Sequence, residues 1–392
     1  MKEYGTELYG ASNLMQNKDQ FGYYTVGDLK TYSKIEAIEL HAKTGIHPQW
    51  HFNEEVFSHY DWTIEPVASL EQLYAVRAQQ IRQKYDYIVL FFSGGADSEN
   101  MLRTFLRNNI HIDEIANFWA LAGDKEYDTH FNSEIYNIAA PAVRRILETN
   151  PNIKHRIIDL TEIIAKLYDD PNRKFDFLYD MNSMFSPNNY ARSFLREHIN
   201  DYQDIIASGK KLCFVWGSEK PRVTIDQGRY CVKFLDILDN VVSSRTQKLN
   251  REWEHDELFY WSPELPELLA KQAHTVMRFL KMAMYNEYDF TPKQPRSHFG
   301  SIVHQGETKY LTSHGLHKII YGINNFHNVK PSSTFFSERD TWFHSRPTHL
   351  ISAQNYIQGI DKLKTILPSY WVNDTFDRGI KGCISQPYWL EK

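Results

Sequence analysis

Short apolar runs alternate along the chain with longer segments in which apolar residues recur at helical spacing. The runs at residues 87–92, 114–121 and 211–216 have the length of strands, and residues 154–160 also predict a strand. A strand that is apolar without alternation is typical of a sheet covered on both faces. Strands that alternate with helices pair in parallel, because each right-handed crossover returns the chain to the same end of the sheet. The pattern therefore predicts an α/β fold with a central, doubly wound parallel sheet.

The residues before the first buried strand predict an N-terminal lobe, residues 1–84, of unknown role. Residues 21–27 are expected to form an edge strand and residues 32–43 a helix. Ser69-Leu70-Glu71-Gln72 is a capping box that begins a helix, and this helix is expected to pack on the sheet because it leads into the first buried strand. The aromatic residues at 50–62 can line a pocket, but packing beneath a long loop is the favoured interpretation.

After the fourth predicted strand, the pattern of apolar and polar residues changes twice. Residues 223–239 predict a β-hairpin that turns at Asp226-Gln227-Gly228. The pattern then changes, which places a boundary near 240 between a core domain at 85–240 and a C-terminal region at 241–392. That region is expected to be mainly helical and irregular, with a long helix that begins at Ser262-Pro263-Glu264. It is a candidate for binding an acceptor substrate.

The loop after the first buried strand carries the clearest chemistry. Its sequence is Ser93-Gly94-Gly95-Ala96-Asp97-Ser98, and the apolar spacing of residues 99–108 predicts a helix directly after it. The two glycines allow a tight turn and bring main-chain N–H groups close to a ligand. Those groups and the positive end of the helix form an anion site that suits phosphate. The serine hydroxyls add donors, and Asp97 can bind a metal ion or its water.

The order of strand, Ser-Gly-Gly-x-Asp-Ser loop and helix resembles the signature of the PP-loop ATP pyrophosphatases. The resemblance covers residues 85–240 and implies a Rossmann-like, adenine nucleotide alpha hydrolase-like fold that binds ATP and Mg²⁺. It also implies that residues 93–98 bind the nucleotide, and that Asp97 is catalytic and binds the metal. The alternative is a glycine turn of a doubly wound fold that binds no ATP. The sequence contains no Gly-x-x-x-x-Gly-Lys-Ser/Thr loop, so kinase or GTPase chemistry is not expected.

A second loop, after the fourth predicted strand, faces the same crevice because the carboxyl ends of parallel strands lie together. Several PP-loop branches have a glycine there, followed shortly by a cationic residue that contacts phosphate. Gly217, Lys220 and Arg222 match this arrangement. The resemblance implies that Gly217 binds the nucleotide and that Lys220 and Arg222 are catalytic. A lysine charge and an arginine fork both suit departing pyrophosphate. The alternative is a solvated loop with incidental charges.

The resemblance implies an enzyme that adenylates an acceptor while ATP becomes AMP and pyrophosphate. A nitrogen or sulfur nucleophile then attacks the adenylated acceptor. The expected partners are ATP and an acceptor that is a small molecule or a nucleic-acid base. PAPS reductases resemble the chain in plan and carry a C-terminal cysteine, here Cys383, but its neighbours Gly382 and Ile384 differ from the reductase motif. A PAPS reductase-like enzyme and a non-catalytic nucleotide-binding module stay open as alternatives.

The composition of the chain excludes few of these candidate functions. A formal net charge of -5 gives no reason to expect general nucleic-acid binding. The three cysteines include no Cys-x-x-Cys pair, which argues against a disulfide framework, a zinc knuckle or an iron–sulfur cluster. No apolar stretch of the sequence approaches the length of a membrane span, and residues 1–5 lack the apolar core of a signal peptide. We expect a cytoplasmic protein, in the host cytoplasm if the chain is viral, without membrane partners. The sequence leaves a homo-oligomer open.

Overall fold

The computed structural model describes residue 19 and residues 22–119, 135–173, 175–179, 187–192, 194–217, 222–236, 254–282, 290–292, 298–304, 307–312, 316, 319–321, 351–372 and 380–392. Within them the strands, in chain order, are β1 (Tyr23–Val26), β2 (Leu29–Thr31), β3 (Gln49–His51), β4 (Tyr87–Phe91), β5 (Glu114–Trp119), β6 (Lys154–Asp159), β7 (Leu212–Trp216), β8 (Arg222–Asp226), β9 (Arg229–Lys233), β10 (Glu254–Leu258), β11 (Phe290–Pro292), β12 (His298–His304), β13 (Glu307–Thr312) and β14 (Tyr388–Trp389). The α-helices are α1 (Lys34–Thr44), α2 (Glu54–Phe57), α3 (Leu70–Lys84), α4 (Ala96–Arg107), α5 (Ala140–Thr149), α6 (Leu160–Asp169), α7 (Pro187–Arg192), α8 (Leu195–His198), α9 (Asn200–Ala207), α10 (Pro266–Lys281) and α11 (Ile351–Ile366). A π-helical turn, Ile135–Ala139, precedes α5, and 3₁₀ turns cover Pro171–Arg173, Asp176–Tyr179 and Ser369–Trp371.

Five strands form an all-parallel sheet in the order β10-β7-β4-β5-β6. The chain enters this central sheet at β4, adds β5 and β6 on one side, and then returns to add β7 and β10 on the other. The strand order therefore reverses beside β4. The predicted mixed α/β fold on a parallel sheet is confirmed, and its arrangement is consistent with a Rossmann-like core.

Strand β10 was not predicted, because its sequence Glu-His-Asp-Glu-Leu is mostly polar. Two of its carboxylates are nevertheless buried. Asp256 accepts hydrogen bonds from Arg196 at 3.1 Å and from Nε1 of Trp216 at 2.7 Å. Glu257 pairs with Arg77 at 2.6 Å. These partners compensate charges that would otherwise keep the segment out of a core. The boundary expected near 240 falls between the fourth and fifth strands of this sheet.

Glu257 is the centre of a larger ion-pair group beneath the sheet. Besides Arg77, Lys84 lies 3.0 Å from its Oε1, and the hydroxyl of Tyr85 donates to the same oxygen. Burial raises the pKa of Glu257, but the charges of Arg77 and Lys84 and these hydrogen bonds outweigh burial and lower that pKa to about 2. The carboxylate is therefore ionised in the folded protein at neutral pH.

Helices cover both faces of the central sheet. On one face the guanidinium of Arg196, in α8, lies 3.8 Å from the centre of the Phe214 ring, and Tyr202 of α9 packs on the same ring. The first turn of α4 lies on the other face. Successive strand residues point to opposite faces, so Gly217 faces away from the side of Trp216, and a Cβ built on Gly217 points at this turn. Helix α3 contacts the sheet as expected, through a hydrogen bond from Arg77 to the main-chain oxygen of Leu258 at 3.1 Å.

The other strands form two further sheets with the orders β2-β1-β3 and β11-β13-β12-β8-β9-β14. Strand β1 is the middle strand of the first, so its prediction as an edge strand was wrong; β3, which pairs with its open side, was not predicted. The predicted hairpin is confirmed as β8 and β9, with Asp226 opposite Arg229. Gln227 and Gly228 both have positive φ, 47° and 79°, which suits a two-residue turn between twisted strands.

The aromatic residues near position 50 pack inside the molecule, which confirms the interpretation favoured from the sequence. Trp50, Phe52 and Phe57 have no exposed surface. Phe52 and Phe57 contact Phe234, which follows β9, at ring-centre distances of 5.0 and 5.4 Å. The N-terminal sheet is thus joined by a shared core to the six-stranded sheet.

Two helices differ from their predicted bounds. The long C-terminal helix, α10, begins at Pro266 rather than at Pro263, with Pro266 in the first turn. The helix expected from residue 188 to 206 is divided into α7, α8 and α9. Among the helices that the structure describes, none combines the length and the apolar character that crossing a bilayer requires.

Candidate functional site

The loop between β4 and α4 has a backbone that only glycine accommodates at one position. Gly94 has φ +76°, which side chains rarely adopt. A Cβ at this position would lie 2.9 Å from Cγ2 of Ile138 and 3.4 Å from Cα of Ala139, in the π-helical turn. Both the conformation and the space therefore require a residue without a side chain. The sequence indicated the need for glycine, but it did not indicate the π-helical turn as its neighbour.

The two serines of the loop bind each other and the loop backbone. The N–H of Ser93 donates to Oγ of Ser98 at 3.2 Å, and that hydroxyl donates to the carbonyl oxygen of Gly95 at 3.0 Å. The N–H of Gly95 lies 3.4 Å from Oγ of Ser93. These bonds hold the loop in shape, so the serines act first on the loop itself. Their predicted contact with phosphate stays a prediction.

The amino end of α4 faces the loop without a side-chain cap. Its N-cap residue is Gly95, which has no side chain to satisfy the first N–H groups, and Ala96 is the first helical residue. These groups and the helix dipole favour an anion at this end. Of the two acidic residues in the first turn, Glu99 pairs with Arg103 at 2.6 Å. The other is Asp97.

Asp97 is held by two tyrosines from distant parts of the chain. The hydroxyl of Tyr321 donates to its Oδ1 at 2.6 Å. The hydroxyl of Tyr260 donates to its main-chain oxygen at 2.8 Å and accepts from Nδ2 of Asn100 at 3.0 Å. Burial raises the pKa of Tyr260, so its hydroxyl keeps its proton and acts as a donor. Sequence reasoning missed Tyr260 and Tyr321, because no local motif connects them with the loop. It also missed Asn100 beside the loop, because its partner Tyr260 is distant in the chain.

The second predicted loop meets the first at Gly217. A Cβ built there would lie 3.3 Å from the main-chain nitrogen of Ser98 and 3.4 Å from the main-chain oxygen of Asp97. The end of β7 thus lies against the first turn of α4. Arg222 is the first residue of β8, opposite Lys233 in the six-stranded sheet. Lys220 lies outside the described residues, so the structure gives it no position.

The end of β4 is anchored by polar contacts to the neighbouring strands. Nδ2 of Asn117, in β5, donates to the carbonyl oxygen of Phe92, which immediately precedes the loop. Nε2 of His155, in β6, donates to Oδ1 of Asn117 at 2.6 Å. Burial, together with the charge of Arg144, lowers the pKa of His155, which favours the neutral ring in this role. The chain of contacts fixes the point at which the loop leaves the sheet.

Three aromatic rings pack together at the carboxyl ends of the strands, on the sheet face opposite Gly217. Phe91 stacks on Trp216 with a ring-centre distance of 4.2 Å and on Phe118 with a distance of 4.8 Å. The guanidinium of Arg192 lies 4.6 Å from the Phe118 ring. The stack joins three adjacent strands at their carboxyl ends and gives the loop a rigid base.

The donors at the loop fit magnesium bound together with a polyphosphate. Among the residues that the structure describes, no group of three or more His, Cys, Asp or Glu side chains is placed to hold a metal ion. Mg²⁺ is commonly bound through one or two carboxylates and the phosphates of a substrate, with water in the other positions. Asp97 beside an uncapped helix end matches that pattern. A surface groove of about 210 Å³, lined by residues of β6 and α6, lies two strands away from β4.

Cys383 is buried away from solvent, beside the acidic residue that follows β9. Its N–H donates to Oδ1 of Asp236 at 2.9 Å, and Asp236 also pairs with Lys34 at 2.7 Å. Burial, followed by the charge of Asp236, raises the pKa of the Cys383 thiol to about 12. A thiol in this environment is a poor nucleophile.

No model of a known protein family matches the chain, and a search of curated proteins finds no match either.

Proposed function

We propose that the chain is an ATP pyrophosphatase of the PP-loop type, which adenylates an acceptor and releases pyrophosphate. One observation carries the proposal: the Ser93–Ser98 loop follows β4, the strand beside which the order of the parallel sheet reverses. In open α/β sheets, ligands bind in the crevice at the carboxyl ends of the strands at this reversal. The sequence motif and the topology thus both support a nucleotide site at this place.

The residues of the loop have separate tasks in this proposal. Gly94 and Gly95 bring main-chain N–H groups to the β- and γ-phosphates, and the dipole of α4 favours their charge. Asp97 binds Mg²⁺, which neutralises charge on the phosphates when it is bound. Gly217 allows the end of β7 to lie against the first turn of α4, beside Asp97 and Ser98.

The chemical step is an in-line substitution at the α-phosphorus of ATP. An acceptor oxygen forms a bond to phosphorus while the bond from phosphorus to the α,β-bridging oxygen breaks. Pyrophosphate leaves with that bridging oxygen, and the acceptor proton passes to solvent or to a base. Negative charge grows on the leaving group, and Lys220 and Arg222 are assigned to receive it. A nitrogen or sulfur nucleophile then displaces AMP from the adenylated acceptor.

The burial of Cys383 weighs against the PAPS reductase-like alternative. That chemistry needs an accessible thiolate, whereas the pKa of this thiol is raised to about 12. The remaining alternative is a module that binds a nucleotide without turning it over. It shares the loop and differs only in lacking an acceptor and a chemical step.

A screen for pyrophosphate release tests the proposal. The protein is incubated with ATP, Mg²⁺ and a library of small molecules and nucleic-acid bases, and AMP and pyrophosphate are measured separately. We expect equal amounts of both, only with a particular acceptor and only with Mg²⁺. Asp97→Asn is the control and should lower the rate by orders of magnitude without unfolding the protein. ATP binding without turnover for every acceptor would favour the module, and absence of ATP binding would refute both.

A further inference from the structure

Tyr321 joins the C-terminal region to the loop of the proposed nucleotide site. It lies 224 residues after Asp97 in the chain, yet its hydroxyl donates to Oδ1 of Asp97 at 2.6 Å. This is the distance of a short hydrogen bond from a hydroxyl to a charged acceptor. The bond connects two regions that the sequence assigned to different parts of the protein.

Tyr321 is itself held in place by packing. Its ring lies 5.6 Å from that of Tyr260 and 6.1 Å from that of Tyr74. The preceding residue, Ile320, is buried, and its carbonyl oxygen accepts from the hydroxyl of Tyr74 at 3.5 Å. A side chain fixed in this way loses little further freedom when it orients a partner.

The backbone of Asp97 is fixed by the same aromatic group. Tyr260 donates to the main-chain oxygen of Asp97, while Tyr321 donates to its side chain. One tyrosine thus sets the position of the residue and the other sets the direction of its carboxylate. A carboxylate has two oxygens with about four acceptor sites, so a carboxylate can accept a hydrogen bond and bind a metal ion at the same time.

We propose that Tyr321 is a positioning residue that orients Asp97 for Mg²⁺, a role that rests on the proposed function. Carboxylates that bind metals are themselves hydrogen-bonded, and loss of such a partner costs roughly 10- to 100-fold in metal affinity or activity. Tyr321 acts through Asp97 and does not touch the nucleotide. The C-terminal region therefore contributes to the metal site as well as to any acceptor site.

Tyr321→Phe tests this role, because it removes the hydroxyl and keeps the ring. The matched control is Tyr32→Phe, since Tyr32 donates to Asp19 at the same distance, 2.6 Å, but directly follows β2, far along the chain from Asp97. For each variant and the parent, calorimetry measures the binding of a non-hydrolysable ATP analogue at graded Mg²⁺ concentrations and in EDTA. Thermal unfolding without nucleotide checks the fold.

We expect Tyr321→Phe to raise the midpoint Mg²⁺ concentration by roughly 10- to 100-fold, with analogue affinity in EDTA unchanged. Tyr32→Phe should leave both quantities unchanged. An unchanged Mg²⁺ midpoint in Tyr321→Phe overturns the positioning role while the proposed function stands. Equal losses with and without Mg²⁺ also overturn it, because they indicate general support of the loop. A parent protein that binds no analogue removes the proposed function and this inference together.

Discussion

Gly94→Ala tests whether the backbone of the loop creates the anion site. At φ +76° an alanine in the left-handed conformation costs about 1–2 kcal/mol. Its Cβ would also lie 2.9 Å from Cγ2 of Ile138 and 3.4 Å from Cα of Ala139. Overpacking of this kind costs about 1–3 kcal/mol. The two costs together are about 2–5 kcal/mol, a large part of the stability of an ordinary domain.

Gly209 offers a matched control for the backbone cost. Its φ is +80°, and no described atom lies within 4 Å of a Cβ built there. Gly209→Ala should therefore lower the free energy of unfolding by about 1–2 kcal/mol, through the backbone alone. Ile138→Ala removes Cγ2, so combining it with Gly94→Ala should recover about 1 kcal/mol relative to the sum of the single variants.

Urea unfolding followed by circular dichroism measures the free energies, and calorimetry measures affinity for a non-hydrolysable ATP analogue with Mg²⁺. The left-handed strain and the clash both act on the loop backbone and displace its N–H groups, so we expect affinity to fall at least about tenfold, or about 1.4 kcal/mol. Gly209→Ala should bind like the parent. The reasoning is refuted if both alanine variants lose the same stability and both bind the analogue normally.

Three further predictions concern other parts of the molecule. Arg222→Ala should raise the barrier to pyrophosphate release by about 2–4 kcal/mol and leave analogue affinity nearly unchanged, because the proposed function assigns its charge to the departing group; equal losses in rate and affinity would contradict this. Cys383→Ser should keep most of the turnover, and iodoacetamide at pH 8 should label the parent thiol only after unfolding, since its pKa is about 12; a sulfur adduct on Cys383 of the folded protein would show the opposite. The folded-state pKa of Glu257 is about 2 against an ordinary 4.5, so its contribution to stability is complete above pH 4.5 and is lost as the pH falls toward 2. Urea unfolding between pH 6 and 3 should show this loss in the parent and a flatter profile in Glu257→Gln, and identical profiles would count against it.

The apolar strands of the sheet could be predicted because their own residues indicate that they are buried. Strands β4 and β7 are apolar and buried along nearly their whole length. The sequence of β10 gave no such signal, because its burial depends on Arg77 and Arg196, which come from other elements. When the partners that neutralise a strand's charges are distant in the chain, its sequence alone predicts a polar loop.

The residues of the candidate site likewise divide into those that a local sequence pattern predicts and those that only the fold brings together. The motif and the left-handed glycine are local, and a single stretch of sequence indicated them. Tyr260 and Tyr321 lie 163 and 224 residues beyond Asp97, and neither belongs to a motif. Their contribution follows only from the three-dimensional packing of a C-terminal region whose own sequence predicted few elements. The hairpin predicted at 223–239 placed Arg222 one residue before a strand, and in the structure it is the first residue of β8.

The late position of β10 in the chain has a consequence for biosynthesis. During translation β7 emerges before β10, so its apolar edge has no neighbour until Leu258 has left the ribosome. At about 5–20 residues per second this interval lasts for seconds. An open hydrophobic strand edge is a template for pairing with other chains, so we expect nascent protein to depend on chaperones at this stage. A recombinant fragment that stops near residue 240 would keep that edge open permanently and should accumulate as insoluble aggregate.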